Sequence, residues 1–127
     1  MRKRSINFAD ELGNRCEELA ALLIPVLRYR AESCGYAIGT HGSLRRDIDL
    51  IAVPWRESAT SPESLVKCLA DVVQAVHGCS GLDAAQFILG PTEKPCGRQA
   101  WAIHLSPDMG AGPYLDVSVM PVSWAGK

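Results

Sequence analysis

The sequence lacks the segments that mark membrane and secreted proteins. Its longest apolar run, Leu19–Leu27, is far shorter than the roughly 20 residues that a helix needs to cross a bilayer. The first residues, MRKRSINFADEL, carry positive charge, but the apolar segment that a signal peptide requires does not follow them. We therefore expect a protein with no membrane segment and a cytoplasmic location.

Cysteine occurs in no pattern that builds a framework. The five cysteines, at positions 16, 34, 68, 79 and 96, are an odd number and include no CxxC pair. This argues against a disulfide scaffold and against a structural zinc site, and it predicts reduced, mostly buried thiols.

No charge of one sign dominates. The chain has 13 Lys and Arg against 14 Asp and Glu, a net charge of −1, so no global field attracts nucleic acid or an anionic membrane. A plain nucleic-acid binder is disfavoured, and any such binding needs a local basic patch. At 127 residues with 47% apolar content, the sequence predicts one globular domain over 1–127, with residues 1–6 as a flexible tail.

Apolar spacing predicts two helices. The first begins after Asn7, and Pro25 is expected to kink it or end it near Leu23, with a further turn to about Glu32. The second has a strong start signal in Ser61-Pro62-Glu63, with serine as N-cap and proline in the first turn, and Gly78 is its predicted stop.

Short apolar runs predict five strands. Two of them flank a polar turn, and short connections favour antiparallel pairing of the last three. The order α-β-β-α-β-β-β predicts an α+β fold, a mixed β-sheet of about five strands covered by two helices. The predicted strands are Tyr36–Gly39, Ile48–Val53, Ala84–Leu89, Gln99–Leu105 and Tyr114–Met120, with a loop over Gly90–Gly97.

The chemistry is concentrated at the turn between the first two strands. Asp47 and Asp49 stand at i and i+2, so in a strand both project from one face. Two adjacent carboxylates favour a cation between them, and hard oxygen ligands suit Mg²⁺ or Mn²⁺. The alternative is that Asp47 caps a turn and Asp49 is a solvated edge residue. Asp49 lies in a run that is apolar on both faces, which predicts a central buried strand.

The order Gly42-Ser43, then Asp47-x-Asp49 followed by an apolar strand, resembles the signature of the nucleotidyltransferase superfamily, the DNA polymerase β-like fold. Asp116, in YLDVSV, is similar to the third carboxylate of that family. The pattern also resembles small phage and prophage proteins. The segment between Ser43 and Asp47 is shorter than in most members, which place a short helix there.

The resemblance implies a metal-dependent transfer of a nucleotidyl group from a nucleoside triphosphate to an unknown hydroxyl acceptor. Asp47 and Asp49 would bind two Mg²⁺ or Mn²⁺ ions that bridge the triphosphate. Asp116 would share one ion and help to deprotonate the acceptor, which would attack the α-phosphate and release pyrophosphate. A salt bridge from Asp116 to Arg98 is the alternative.

The turn itself carries four candidate phosphate ligands. Gly42 and Ser43 could present backbone N–H groups and a hydroxyl to phosphate, and Arg45 and Arg46 could clamp its oxygens. A solvated turn explains the arginines nearly as well. His41 is next to this turn, but the three histidines are too scattered to predict a histidine metal site.

Two functions are therefore open. One is a minimal nucleotidyltransferase-like enzyme. The other is a catalytically inactive descendant of that fold that acts as a binding or assembly module, which the short Ser43-to-Asp47 segment favours. Enzymes of this family usually carry a further domain, so a partner protein or a homodimer would complete this one.

Overall fold

We describe the fold from a computed structural model, over residues 8–44, 46–77, 84–105 and 113–122, without the side chains of residues 8–14 and 77. The predicted tail, residues 1–6, lies outside these ranges. Two helices and five strands follow in the predicted order: α1 (Phe8–Ser33), β1 (Tyr36–His41), β2 (Ile48–Pro54), α2 (Pro62–His77), β3 (Ile88–Glu93), β4 (Gln99–His104) and β5 (Tyr114–Val119).

Helix α1 continues through Pro25, so the prediction that it ends near Leu23 is wrong. Proline removes the N–H that would bond the carbonyl of Ala21, but Pro25 and Ala21 are both exposed, so water can hydrate that carbonyl. The opposite face of the helix is buried and holds it in place. The amide of Gly35 donates a hydrogen bond to the carbonyl of Glu32 just after the last turn. Neither helix of the described ranges is long and apolar enough to cross a membrane.

Helix α2 begins as predicted. The amide of Ser64 donates a hydrogen bond of 3.2 Å to the hydroxyl of Ser61, and Pro62 is the first helical residue. The hydroxyl therefore satisfies an N–H group that has no partner within the helix. Leu65 and Leu69 are buried on its inner face. The predicted stop, Gly78, lies outside the described residues.

The sheet has the strand order β1-β2-β5-β4-β3. β2 and β5 are parallel, and the other three pairs are antiparallel, as short connections favour. The fold is therefore α+β, with a mixed five-stranded sheet and two helices.

The third strand departs from the prediction. Ala84–Phe87 forms a 3₁₀ turn, and β3 runs over Ile88–Glu93 through the segment that was expected to be a loop. An edge strand accepts Pro91, because the missing N–H can face away from the sheet. A register shift between Leu89 and Thr92 marks a bulge, which accommodates the extra residue.

One face of the sheet carries the core and the other is open. Alternate residues of β2 and β5, such as Leu50 and Val117, are buried in one cluster with the inner faces of α1 and α2. The intervening residues, including Asp49, Asp116 and Ser118, are only half-buried. The expectation that β2 is covered on both faces is therefore wrong, and its carboxylate side is the open one.

Candidate functional site

A single row of neighbouring residues crosses the open face of the sheet. His41 of β1 pairs with Asp49 of β2, Asp49 pairs with Asp116 of β5, and Asp116 pairs with Ala102 of β4, which pairs with Leu89 of β3. Residues opposite each other in adjacent strands present their side chains on the same face. The structure therefore brings the carboxyl groups of Asp49 and Asp116 side by side.

The carboxyl group of Asp116 has the pKa most altered by this arrangement. Burial, then the negative charges of Asp47 and Asp49, then a hydrogen bond to Asp49, raise the pKa of Asp116 from 3.8 to about 6, and the nearby His41 opposes the rise. Like charges this close are not ionised together without cost, so protonated Asp116 donates to the Asp49 carboxylate. All three predicted carboxylates thus act on one another electrostatically.

Asp47 plays a different part from the other two. It precedes β2, and its Oδ1 accepts a 2.9 Å hydrogen bond from the backbone amide of Tyr114 at the start of β5. The carboxylate therefore fastens the parallel strands β2 and β5 to each other. The alternative prediction was that Asp47 caps the turn between β1 and β2, whereas this bond joins it to β5.

The arrangement of the carboxylates is not that of a formed metal site. Over residues 8–44, 46–77, 84–105 and 113–122, no group of three or more His, Cys, Asp and Glu side chains is placed to hold a metal ion. One reason is that Oδ1 of Asp47 is bonded to the amide of Tyr114. The donor set nevertheless has the oxygen chemistry that Mg²⁺ and Mn²⁺ prefer.

The turn lies directly against the carboxylates. Gly42 has a φ of +78°, and a Cβ atom there would be 2.8 Å from Oδ2 of Asp49. Only glycine combines this backbone conformation with so close an approach. Ser43 and Arg46 are exposed. Arg45, the fourth predicted phosphate ligand, lies outside the described residues.

A groove of about 370 Å³ extends from this point across the open face. It begins at His41 and the Asp49–Asp116 pair, crosses the side chains of β5 and β4, and reaches Thr92 of β3 and Lys94, which directly follows β3. Its size lies within the range of small-molecule sites. Thr92 and Lys94 were missed in the sequence because that segment was predicted to be a loop. Ser118 could have been found, since it stands two residues after Asp116 on the same face.

The predicted alternative for Asp116, a salt bridge to Arg98, is not what the structure has. Gln99 of β4 pairs with Val119 of β5. Since the strands are antiparallel, Arg98 lies beside Met120, four residues along the chain from Asp116. No arginine is among the groups that shift the pKa of Asp116. Of the other histidines, His104 contacts the ring of Tyr114 at a tilt of 47°, with ring centroids 4.8 Å apart, and the side chain of His77 is outside the described set.

No protein-family model matches this sequence, and no curated protein matches it. The resemblance to nucleotidyltransferases therefore rests on the residues themselves and on where the fold places them.

Proposed function

We propose that this protein is a minimal nucleotidyltransferase-like enzyme, which transfers a nucleotidyl group from a nucleoside triphosphate to a hydroxyl acceptor with Mg²⁺ or Mn²⁺. The observation that supports this most is the register pairing of Asp49 with Asp116 on the open face of the sheet. It sets two carboxylates from distant parts of the chain next to a glycine turn and at one end of a groove.

A divalent cation fits the chemistry of this donor set. Asp49 and Asp116 would hold it, and Asp47 would join them if Oδ1 exchanged the amide of Tyr114 for the ion. A cation also removes the repulsion that raises the pKa of Asp116. When bound, such ions neutralise phosphate charge and favour the ionised form of an acceptor hydroxyl.

The remaining residues would position the nucleotide. The backbone at Gly42 lies against the carboxylate of Asp49, and Ser43 and Arg46 stand exposed at the same turn. Arg45 stays a predicted phosphate ligand. The acceptor oxygen forms a bond to the α-phosphorus, the bond from that phosphorus to the bridging oxygen breaks, and pyrophosphate leaves. Asp116 takes the proton of the acceptor hydroxyl.

A second function is favoured by one specific observation. Because Oδ1 of Asp47 is already bonded to Tyr114, the carboxylate serves the fold without any ligand. This structural role of Asp47 is sufficient in a catalytically inactive module of this fold, which binds or assembles with a partner protein or with a second copy. The phage or prophage resemblance is compatible with either function.

Thermal melting separates the two functions. The protein is melted with Mg²⁺ or Mn²⁺, alone and with each nucleoside triphosphate. A ligand present at about 100 times its dissociation constant stabilises the folded state by about 2.7 kcal/mol, which raises the melting temperature by several degrees. We expect such a rise for wild type with metal and one or more triphosphates, and turnover measured as pyrophosphate release with hydroxyl acceptors.

The variants Asp49→Asn and Asp116→Asn are expected to lose the rise in melting temperature. Asp71→Asn is the matched control, because Asp71 is an exposed aspartate on α2, outside the groove. If wild type shows no rise with any metal and triphosphate, the enzyme proposal fails and the binding module is favoured.

A further inference from the structure

We infer that the groove holds a second, phosphate-binding subsite for the acceptor, formed by Lys94 and Arg98 at the end away from the nucleotide turn. This inference rests on the proposed function, since it assigns the acceptor side of the same groove. The ligand chemistry is a phosphate ester on a molecule that also carries the reactive hydroxyl.

The two cationic residues are neighbours on the open face. Thr92 of β3 pairs with Ala100 of β4, and both line the groove. Lys94 follows Thr92 by two residues, and Arg98 precedes Ala100 by two residues. The amide of Lys94 donates a 2.9 Å hydrogen bond to the carbonyl of Arg98, so the two residues lie side by side. Residues two apart in extended backbone face the same side, and Arg98 has extended φ and ψ. Lys94 also lines the groove itself.

Arg98 has an unused donor. Its Nε is buried and has no hydrogen-bond partner among the described residues. Because this Nε is buried, the other nitrogen atoms of the guanidinium group are the ones that would bind a phosphate, and guanidinium groups are well suited to phosphate oxygens. The nearby Glu93 is bonded through Oε1 to the side-chain amide of Gln99, at 2.9 Å. That carboxylate is therefore already bonded to a neutral partner.

The spacing indicates the length of the acceptor. Arg98 is four residues along and one strand across from Asp116, about 14 Å between Cα positions at about 3.3 Å per residue and about 4.8 Å per strand. Small side chains, including those of Ser118 and Ala100, line the groove between them. The long side chain of Arg98 spans part of this distance, so the acceptor that we infer carries its phosphate several ångströms away from its reactive hydroxyl, as an oligonucleotide or a phosphorylated dinucleotide can.

The test uses a fluorescein-labelled decathymidylate with a free 3′-hydroxyl, measured by anisotropy with Mg²⁺ over a range of salt concentrations. Unlabelled competitors are a 5′-phosphorylated dinucleotide and inorganic phosphate. The variants are Lys94→Ala and Arg98→Ala. Lys67→Ala serves as the matched control, because Lys67 is an exposed lysine on α2. Melting temperatures show that each variant folds, and Lys94 is exposed, so its variant is informative even if Arg98→Ala does not fold.

We expect each variant to weaken binding by about fivefold or more, as for loss of a charge-assisted hydrogen bond. We also expect the slope of log K against log salt to fall by about 0.7 per removed cation, while the control is unchanged. Competition by the dinucleotide alone would also support the subsite and identify small phosphate esters as its ligands.

Two results would overturn the inference. One is equal affinity of wild type and both variants for every probe. The other is competition by inorganic phosphate that persists in both variants. The metal-dependent melting shift with triphosphate reports on the carboxylate end, so it fails only if the proposed function fails.

Discussion

Replacing Asp116 by asparagine should make the metal-free protein more stable at pH 8. In the folded state the pKa of Asp116 is raised from 3.8 to about 6, first by burial and then by the charges of Asp47 and Asp49. The folded state therefore binds this proton more tightly than the unfolded state does. The stabilisation that this bound proton gives to the folded state is full below about pH 4, is lost between about pH 4 and 6, and is absent above pH 6.

The size of the effect follows from the two pKa values. At about 1.4 kcal/mol per pKa unit, the rise from 3.8 to about 6 corresponds to about 3 kcal/mol. Asp116 is only half-buried, and solvent screening reduces this to about 1–2 kcal/mol. An asparagine at this position has the shape of the protonated side chain and can still donate a hydrogen bond to Asp49, so it avoids the penalty at every pH.

Urea denaturation with a chelator present measures this directly. We expect the free energy of unfolding of Asp116→Asn to exceed that of wild type by about 1–2 kcal/mol at pH 8, with most of the difference gone at about pH 3.5. Asp71→Asn, on the exposed side of α2, should show no such pH dependence. A variant less stable than wild type at pH 8, or a difference of equal size at both pH values, would refute the raised pKa of Asp116.

Three further substitutions test how the fold is held. Gly42→Ala should lower the free energy of unfolding by about 1–2 kcal/mol, because the φ of Gly42 is +78°. Gly39→Ala is the control and should lower it by less than about 1 kcal/mol, because nothing lies within 4 Å of the new Cβ. Equal losses for the two variants in urea denaturation would contradict this reasoning. Ser61→Ala removes the N-cap of α2 and should cost about 1 kcal/mol in the same assay, and an unchanged midpoint would show that the cap is dispensable. Tyr36→Phe removes the hydrogen bond that the phenol donates to the carbonyl of Thr60. The melting temperature should therefore fall by a few degrees, which corresponds to a loss of about 1 kcal/mol. A variant as stable as wild type would mean that water replaces this bond.

Local signals were sufficient for several elements. Ser61 and Pro62 predicted the start of α2, because a cap and a first-turn proline act within a few residues of each other. The turn at Gly42 between two apolar runs predicted the β1–β2 hairpin for the same reason. The i and i+2 placement of Asp47 and Asp49 predicted that both project from one face of a strand, but Asp47 precedes β2 and bonds the amide of Tyr114.

Other predictions failed where a distant contact decides the structure. Pro25 was expected to kink α1 or to end it near Leu23, but the helix continues to Ser33 and is held by the core on its opposite face. Gly90 and Pro91 were expected to lie in a loop, but they belong to an edge strand that packs on β4. In both cases packing with residues far away in the sequence outweighs the local tendency of proline or glycine to end an element.

The sequence alone determined the class of the fold and the carboxylate chemistry of the hairpin. Only the tertiary structure decided that β5 lies parallel to β2, which sets Asp116 against Asp49. Only the tertiary structure placed Lys94 beside Arg98, at the other end of the groove. Periodicity and turn signals report on neighbours within a few residues, whereas the order of strands in a sheet depends on contacts between segments far apart in the chain.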